Sequence, residues 1–328
     1  MTEPASGETQ EPIPHWPGKL VSLGDYQVYV RSVPDQVPEV DPAPSDPALS
    51  QPAVCVHGLE GSSRNWTDLM DLLRPRLAAV ALDLPGFGES PPRPDGRYSI
   101  AALAQTVIAL IERNGHGPVH LLGNSLGGAV CVKVAATRPD LIRTLTLISP
   151  ALPDTRLRLD LARFPLMSVP RLGTRILRQY QNLPAENRVA DVITNCYSNP
   201  ALFPAARFAA EVAELSRRDT LDYATAALLG SIRTLTAEFF RAGRSSAWHD
   251  AARITAPALV IYGSHDRLVD PRNAGRAAHA FRDARIVVLP RTGHVAHMEH
   301  PDQVAAEMAA ALLAAAEPAR EFPLTSAG

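Results

Sequence analysis

Three short stretches carry side chains that could act together on an acyl carbon: GNSLGG (Gly123 to Gly128), HDRLVDP (His265 to Pro271) and TGHVAHMEHP (Thr292 to Pro301). A serine hydroxyl is a weak nucleophile at neutral pH, so it needs an imidazole base, which in turn needs an acid to fix its tautomer and steady its cation. Ser125 sits where an apolar run ends and an amphipathic one begins, flanked by glycines that permit a tight strand-to-helix turn, with Asn124 beside it. That is the setting a G-x-S-x-G nucleophile requires. Of the two downstream acids, Asp270 directly precedes Pro271 and a helical pattern and is explained as an N-cap. Asp266 is left as the orienting acid and His294 as the base, in the chain order Ser, Asp, His.

The last stretch raises a competing possibility, because His294, His297 and His300 step by three with Glu299 among them. A zinc-protease signature would read HExxH or HxxEH, and Ala296 stands where the second would need its first histidine. The stretch therefore reads as one general base and two structural histidines, with no metal and no cofactor. An oxyanion hole needs two converging backbone N–H groups. Leu126, next after the serine, supplies one, and Leu59, in His57-Gly58-Leu59-Glu60-Gly61, supplies the other. Gly58 allows close backbone approach, and His57 is expected to buttress the loop. Asp83 is expected to hold the turn from Gly86 to Gly88, and Glu60 to face solvent.

Presenting these groups together requires a particular order of elements. KLVSLGDYQVYVRS alternates and turns at Gly24-Asp25, as a hairpin does. From Pro52, buried-strand runs (AVCVHG, AAVALDLPG, VHLLGN, LIRTLTLISP) alternate with helical ones (NWTDLMDLLRPRL, SIAALAQTVIALIERN capped by Ser99, LGGAVCVKVAATRP). Strands so spaced imply βαβ units and a parallel sheet, an α/β fold with helices on both faces. Residues 151 to 250 read as helix after helix, an all-helical cap over one end of the sheet. The rhythm resumes over 251 to 316 with PALVIYGS, RIVVLP and a last helix from Pro301. Residues 1 to 18 and 317 to 328 are expected to be tails. Residues 33 to 52, with six prolines, form a surface loop between the hairpin and the rest of the core, 19 to 150.

At 328 residues and 46% hydrophobic, the chain can bury a large core. A formal charge of −2 gives no overall case for nucleic acid or an anionic membrane. Three scattered cysteines make neither a disulfide framework nor a CxxC site. No signal peptide and no apolar run of membrane-spanning length is evident, so a cytoplasmic location is expected.

Together, HGLEGSSRNW, DLPGFGES, GNSLGG, GSHDRLVDP and TGHVAHMEHP resemble the α/β-hydrolase superfamily, from Lys19 to about Ala316 apart from the helical insertion. The resemblance implies an α/β-hydrolase fold, a triad of Ser125, Asp266 and His294, oxyanion donors on Leu59 and Leu126, and a small-molecule acyl substrate. Epoxide hydrolases and haloalkane dehalogenases of the superfamily use an aspartate nucleophile, so Ser125 points away from them. GNSxGG is similar to the C–C hydrolases of ring-fission products. Their glycine-rich oxyanion loop and the tryptophan after their histidine are replaced here by Leu59-Glu60 and Val295. For such a substrate, an arginine of the insertion, whose first segment is rich in arginine, would bind the carboxylate. Other members are ligand receptors, and the intact Ser125, Asp266 and His294 favour an enzyme.

Overall fold

The computed structural model describes residues 12–33, 51–115, 117–154, 163–241 and 243–316. Its strands are β1 (Gly18–Leu23), β2 (Tyr26–Ser32), β3 (Gln51–Val56), β4 (Leu77–Leu82), β5 (Val119–Asn124), β6 (Ile142–Ile148), β7 (Ala258–Gly263) and β8 (Ala284–Leu289). They form one sheet in the order β1-β2-β4-β3-β5-β6-β7-β8. β2 pairs antiparallel with both β1 and β4, and every pairing from β4 to β8 is parallel. The helices are α1 (Thr67–Leu73), α2 (Ile100–Asn114), α3 (Leu126–Thr137), α4 (Arg163–Ser168), α5 (Leu172–Gln181), α6 (Ala185–Cys196), α7 (Ala205–Asp219), α8 (Ala224–Phe239), α9 (Ala247–Ala251), α10 (Asn273–Ala280), α11 (Ala296–Glu299) and α12 (Pro301–Ala316).

The two-residue period of the strands divides the core into two layers. Val54 and Val56 of β3 face α2 and α3, while Ala53 and Cys55 face α1 and α12. A one-residue slip would exchange the two sets, so burial on both sides locks the register. Each fully buried Val or Leu contributes about 1.5–3 kcal/mol. Helix α2 buries the stripe Leu103, Val107, Leu110 and Ile111, starts on a Ser99 cap and stops at Gly115 in the left-handed region. Helix α3 is buried nearly all round, as its small and apolar sequence dictates, so its first residue is rigidly held.

Two expectations are corrected. The tail expected over residues 1 to 18 is not free from residue 12 onward. Trp16 is buried under the sheet and Arg31 donates to its carbonyl, while His15 Nδ1 meets Thr67 Oγ1 at 2.8 Å. A buried tryptophan with a hydrogen-bonded backbone outweighs the polar composition around it. The second concerns the end of the insertion at residue 250. Helix α9 straddles that boundary, and its Ala247 and Trp248, assigned to the insertion, join the main core beside α3 together with Ala251. The expected tail over 1–11, most of the Pro-rich loop (34–50) and the C-terminal tail fall outside the described residues, as does the arginine-bearing stretch 155–162. No described helix is long and apolar enough to cross a membrane.

Candidate active site

After β3 the chain passes to β4 on one side and then returns to β5 on the other, so the order reverses between β3 and β5. Ligands of open α/β sheets bind beyond the carboxyl ends of the strands at such a point. His57 follows β3, Ser125 follows β5, Ser149 follows β6, Asp266 follows β7 and His294 follows β8. Five non-glycine residues among those described have positive φ. Four of them, Glu60, Ser125, Ser149 and Arg291, lie in these strand-end loops. Backbone strain concentrated in one place marks a surface the fold is built to present.

Ser125 joins β5 to α3 with φ 53° and ψ −118°, conformational strain that an L-residue tolerates only where its neighbours fix it. Its N–H donates to Ile148 O at 3.1 Å, and its own carbonyl accepts from Ala129 and Ala151. Asn124 extends the support, its Nδ2 donating to Ile148 O (3.0 Å) and to His294 O (3.1 Å). The residue beside the serine thus anchors the backbone of the histidine.

His294 Nδ1 and Asp266 Oδ2 are 2.9 Å apart, both side chains being buried. The other carboxylate oxygen accepts from the N–H groups of Leu268 (2.8 Å) and Val269 (2.9 Å). Burial works to raise the Asp266 carboxyl. The charge and hydrogen bond of His294 outweigh it, joined by the Val269 N–H, and hold the acid below the usual carboxylate range. An ionised carboxylate only accepts, so His294 carries a proton on Nδ1, and the neutral form of the ring has its lone pair on Nε2. Asp270 caps the following turn, accepting from the Arg272 N–H at 2.9 Å.

On the opposite side, a Cβ on Gly58 would lie 2.8 Å from Asn124 Oδ1 and 3.1 Å from Ser125 Cβ. Only glycine lets the loop after β3 come this close to the serine. His57 is buried with both nitrogens used: Nδ1–H donates to Gly58 O (2.7 Å), and Nε2 accepts from the Leu84 N–H (2.9 Å). Burial pulls its pKa below the usual value against the opposing charge of Asp83, so the ring stays neutral and braces the loop. Asp83 accepts from the Ser63 and Glu89 N–H groups and stitches the turn containing Gly88 to the loop after β3.

The three histidines diverge. His294 faces Asp266, His300 gives its carbonyl to the Val304 N–H at the start of α12, and the His297 ring lies on Trp66 with centroids 4.4 Å apart. Among the described residues no group of three His, Cys, Asp or Glu side chains could hold a metal ion. Neither nitrogen of His297 has a protein partner, and burial, followed by the nearby His294, pushes its imidazole down to about 3. The unfolded chain, with an imidazole near 6.5, therefore binds a proton that the native protein does not. The stabilising contribution is present above about pH 6.5 and is lost as pH falls toward 3. His297→Phe keeps the ring contact and should remove about one proton from the pH dependence of unfolding. Urea midpoints at pH 7 and pH 5 check this, and identical pH dependence in variant and wild type would refute it.

The helical insertion touches both walls of the site. Leu59 packs against Leu177, Leu228, Leu229 and Ile232, while Val295 packs against Val189, Ile193 and Tyr197. Arg218 is buried, stands over the Phe87 ring at 5.4 Å and donates to Glu60 O at 3.1 Å. A groove of about 530 Å³ opens between α5 and α8, where Tyr98, Arg178, Arg233 and Leu229 line it. Leu229 belongs to both the groove and the cluster on Leu59. In the first segment of the insertion, Arg171, Arg175 and Arg178 are exposed. Sequence reasoning did not single out Ser149, Arg218 or Glu299, although the positive φ of Ser149 has no sequence signal and Glu299 stood in the quoted histidine stretch.

The chain matches known proteins in the same terms. A model of the alpha/beta hydrolase fold family matches residues 52–301. The chain is 30% identical over 267 residues to the dihydrolipoyllysine-residue acetyltransferase component of the acetoin cleaving system of Pseudomonas putida. That match covers 80% of this chain and 63% of the relative, so the chain spans less than two thirds of its length. It is 27% identical over 252 residues to the pimeloyl-[acyl-carrier protein] methyl ester esterase of Neisseria meningitidis, covering 76% of this chain and 88% of that protein. In fold it is similar to the 2-hydroxy-6-oxo-6-phenylhexa-2,4-dienoate hydrolase of Rhodococcus sp. strain RHA1. The TM-score is 0.70 at 20% identity, over 90% of this chain and 98% of that one.

Proposed function

Because the chain belongs to the alpha/beta hydrolase fold family, we propose that it is a serine hydrolase that cleaves an ester or related acyl bond through Ser125, His294 and Asp266. The observation that carries this reading is the buried His294–Asp266 pair, tied through Asn124 to a serine held at a strained strand-to-helix junction. Asp266 holds the proton on Nδ1, so Nε2 can take the Ser125 proton as the hydroxyl oxygen bonds to the substrate carbonyl carbon. The N–H groups of Leu59 and Leu126 would stabilise the oxyanion. Collapse of the tetrahedral species breaks the bond to the leaving group, which receives the proton from His294. A water then loses its proton to His294 as it attacks the acyl-enzyme, and the acid departs with Ser125 restored. These steps call for no metal and no cofactor. The helical insertion between β6 and β7 would act as the lid, and the buried thiols of Cys55 and Cys131 suit a reducing cytoplasm.

A second reading, C–C hydrolysis of a ring-fission product, is favoured by Arg218. Its buried guanidinium beside the oxyanion loop is met by a carbonyl and an aromatic face, which would leave it able to receive a substrate carboxylate. A series of p-nitrophenyl esters from acetate to decanoate separates the two. Hydrolysis with a maximum at one chain length is expected. No turnover of any ester, with cleavage of a vinylogous diketo acid, would replace the first reading by the second. Binding of acyl compounds with no turnover of either class would make the protein a receptor.

A further inference from the structure

Glu299 is a buried carboxylate in α11, five residues beyond His294, and the chemistry proposed above does not use it. Its Oε2 accepts the Gly293 N–H at 2.6 Å. Its Oε1 accepts the Ser198 N–H (2.9 Å) and the Asn199 N–H (3.0 Å), and it lies 2.6 Å from the Ser198 hydroxyl, whose single proton it shares with Arg291 O at 2.5 Å. One oxygen therefore holds the residue before the histidine, and the other holds the turn leaving α6 in the helical insertion. The two segments also meet directly, since the His294 N–H donates to Cys196 O at 2.7 Å. A Cβ at Gly293 would stand 2.3 Å from that oxygen and 2.7 Å from the Ser198 nitrogen, so the loop carrying His294 rests on residues 196 to 198 without intervening space.

We infer that Glu299 is a positioning residue for His294, fastening the histidine loop to the 196–199 turn so that the insertion forms one wall of the working site. This rests on the reading that His294 serves Ser125. Three of the partners are backbone N–H donors, which a carboxylate, acting only as acceptor, satisfies with charge-assisted bonds. A general base must meet the serine within a few tenths of an ångström, and a misplacement near 1 Å lowers turnover about 100-fold. The insertion can then rearrange only where it is not bound to residues 293 and 294.

Glu299→Gln tests this selectively. Its amide oxygen can replace Oε1 toward Ser198 and Asn199, but its NH2 must then face the Gly293 N–H, donor against donor. Turnover of the best p-nitrophenyl ester should fall by about 10- to 100-fold with KM within about twofold, because the loss lies in alignment and not in substrate contact. Amide hydrogen exchange of segments 290–296 and 196–200 should accelerate together, with α3 and β5 protected as in the wild type. Ser198→Ala removes the hydroxyl that Oε1 shares with Arg291 O, a second tie between the same two segments. It should lower turnover three- to tenfold with a smaller rise in exchange, and it carries the test if the Gln variant does not fold. Exchange of both segments at the wild-type rate, or turnover within twofold of wild type in a folded Gln variant, would overturn the inference. If the wild type hydrolyses no ester, the reading of His294 fails on its own, while exchange still decides whether Glu299 joins the two segments.

Discussion

Ser125→Ala should lower kcat/KM on any ester the wild type hydrolyses by on the order of 10⁴- to 10⁶-fold, with the melting temperature nearly unchanged. The side chain of Ser125 makes no capping hydrogen bond at the start of α3, so its removal leaves the start of the helix as it is. Alanine meets the same backbone strain as serine at φ 53°, so the substitution adds none. What disappears is the atom that forms the covalent bond. The residual rate would be what the oxyanion donors and binding alone provide. Initial rates paired with circular dichroism and thermal melts check the expectation, and a loss smaller than about tenfold would place the nucleophile elsewhere.

Asp266→Asn should cost about 10⁴-fold in kcat for a different reason. The amide oxygen can keep accepting from Leu268 and Val269, as Oδ1 does now. The NH2 group then faces His294 Nδ1, where the carboxylate Oδ2 stood at 2.9 Å. Two donors cannot face each other, so Nδ1 becomes the acceptor and the imidazole proton moves to Nε2. The ring stays in place in the wrong tautomer and cannot take the serine proton. A second consequence follows from the native acid being held below the usual carboxylate range. Its stabilising contribution is present above the unfolded pKa and is lost as pH falls through the lower folded value, and the Asn variant should lack that part of the acid-limb dependence. Single-turnover rates at pH 7 and urea midpoints from pH 6 to pH 3 measure the two effects separately. A variant retaining more than one tenth of the wild-type kcat would contradict the assigned role.

The sheet and the loops at its carboxyl edge were readable because their signals are local. Apolar runs of strand length separated by amphipathic stretches of helix length identified β3 to β8, and Gly123-Asn124-Ser125 announced a tight turn between β5 and α3. Asp266, which pairs with His294, was separable from Asp270 because a proline follows the latter directly. Contacts between distant segments left no such trace. Ser198 and Glu299 meet across 101 positions, and Arg218 reaches Glu60 across 158, with neither pair standing in a recurring pattern. Composition misled at the N-terminus, where one tryptophan among prolines and acids was enough to seat residues 12 to 17 on the sheet. The histidine stretch posed the opposite choice and was read as one base with two structural residues. Its spacing suggested a shared ligand, yet the short helix α11 turns the His297 ring onto Trp66 while His294 points to Asp266.

The central claim is that Ser125 is a nucleophile activated by His294. Stoichiometric reaction with a fluorophosphonate probe, followed by peptide mass spectrometry, tests it without knowledge of the natural substrate. The account predicts one adduct per chain, on Ser125, formed at least 100-fold more slowly in His294→Ala and not formed in Ser125→Ala. An adduct on another residue, or labelling of the His294 variant at the wild-type rate, would contradict it.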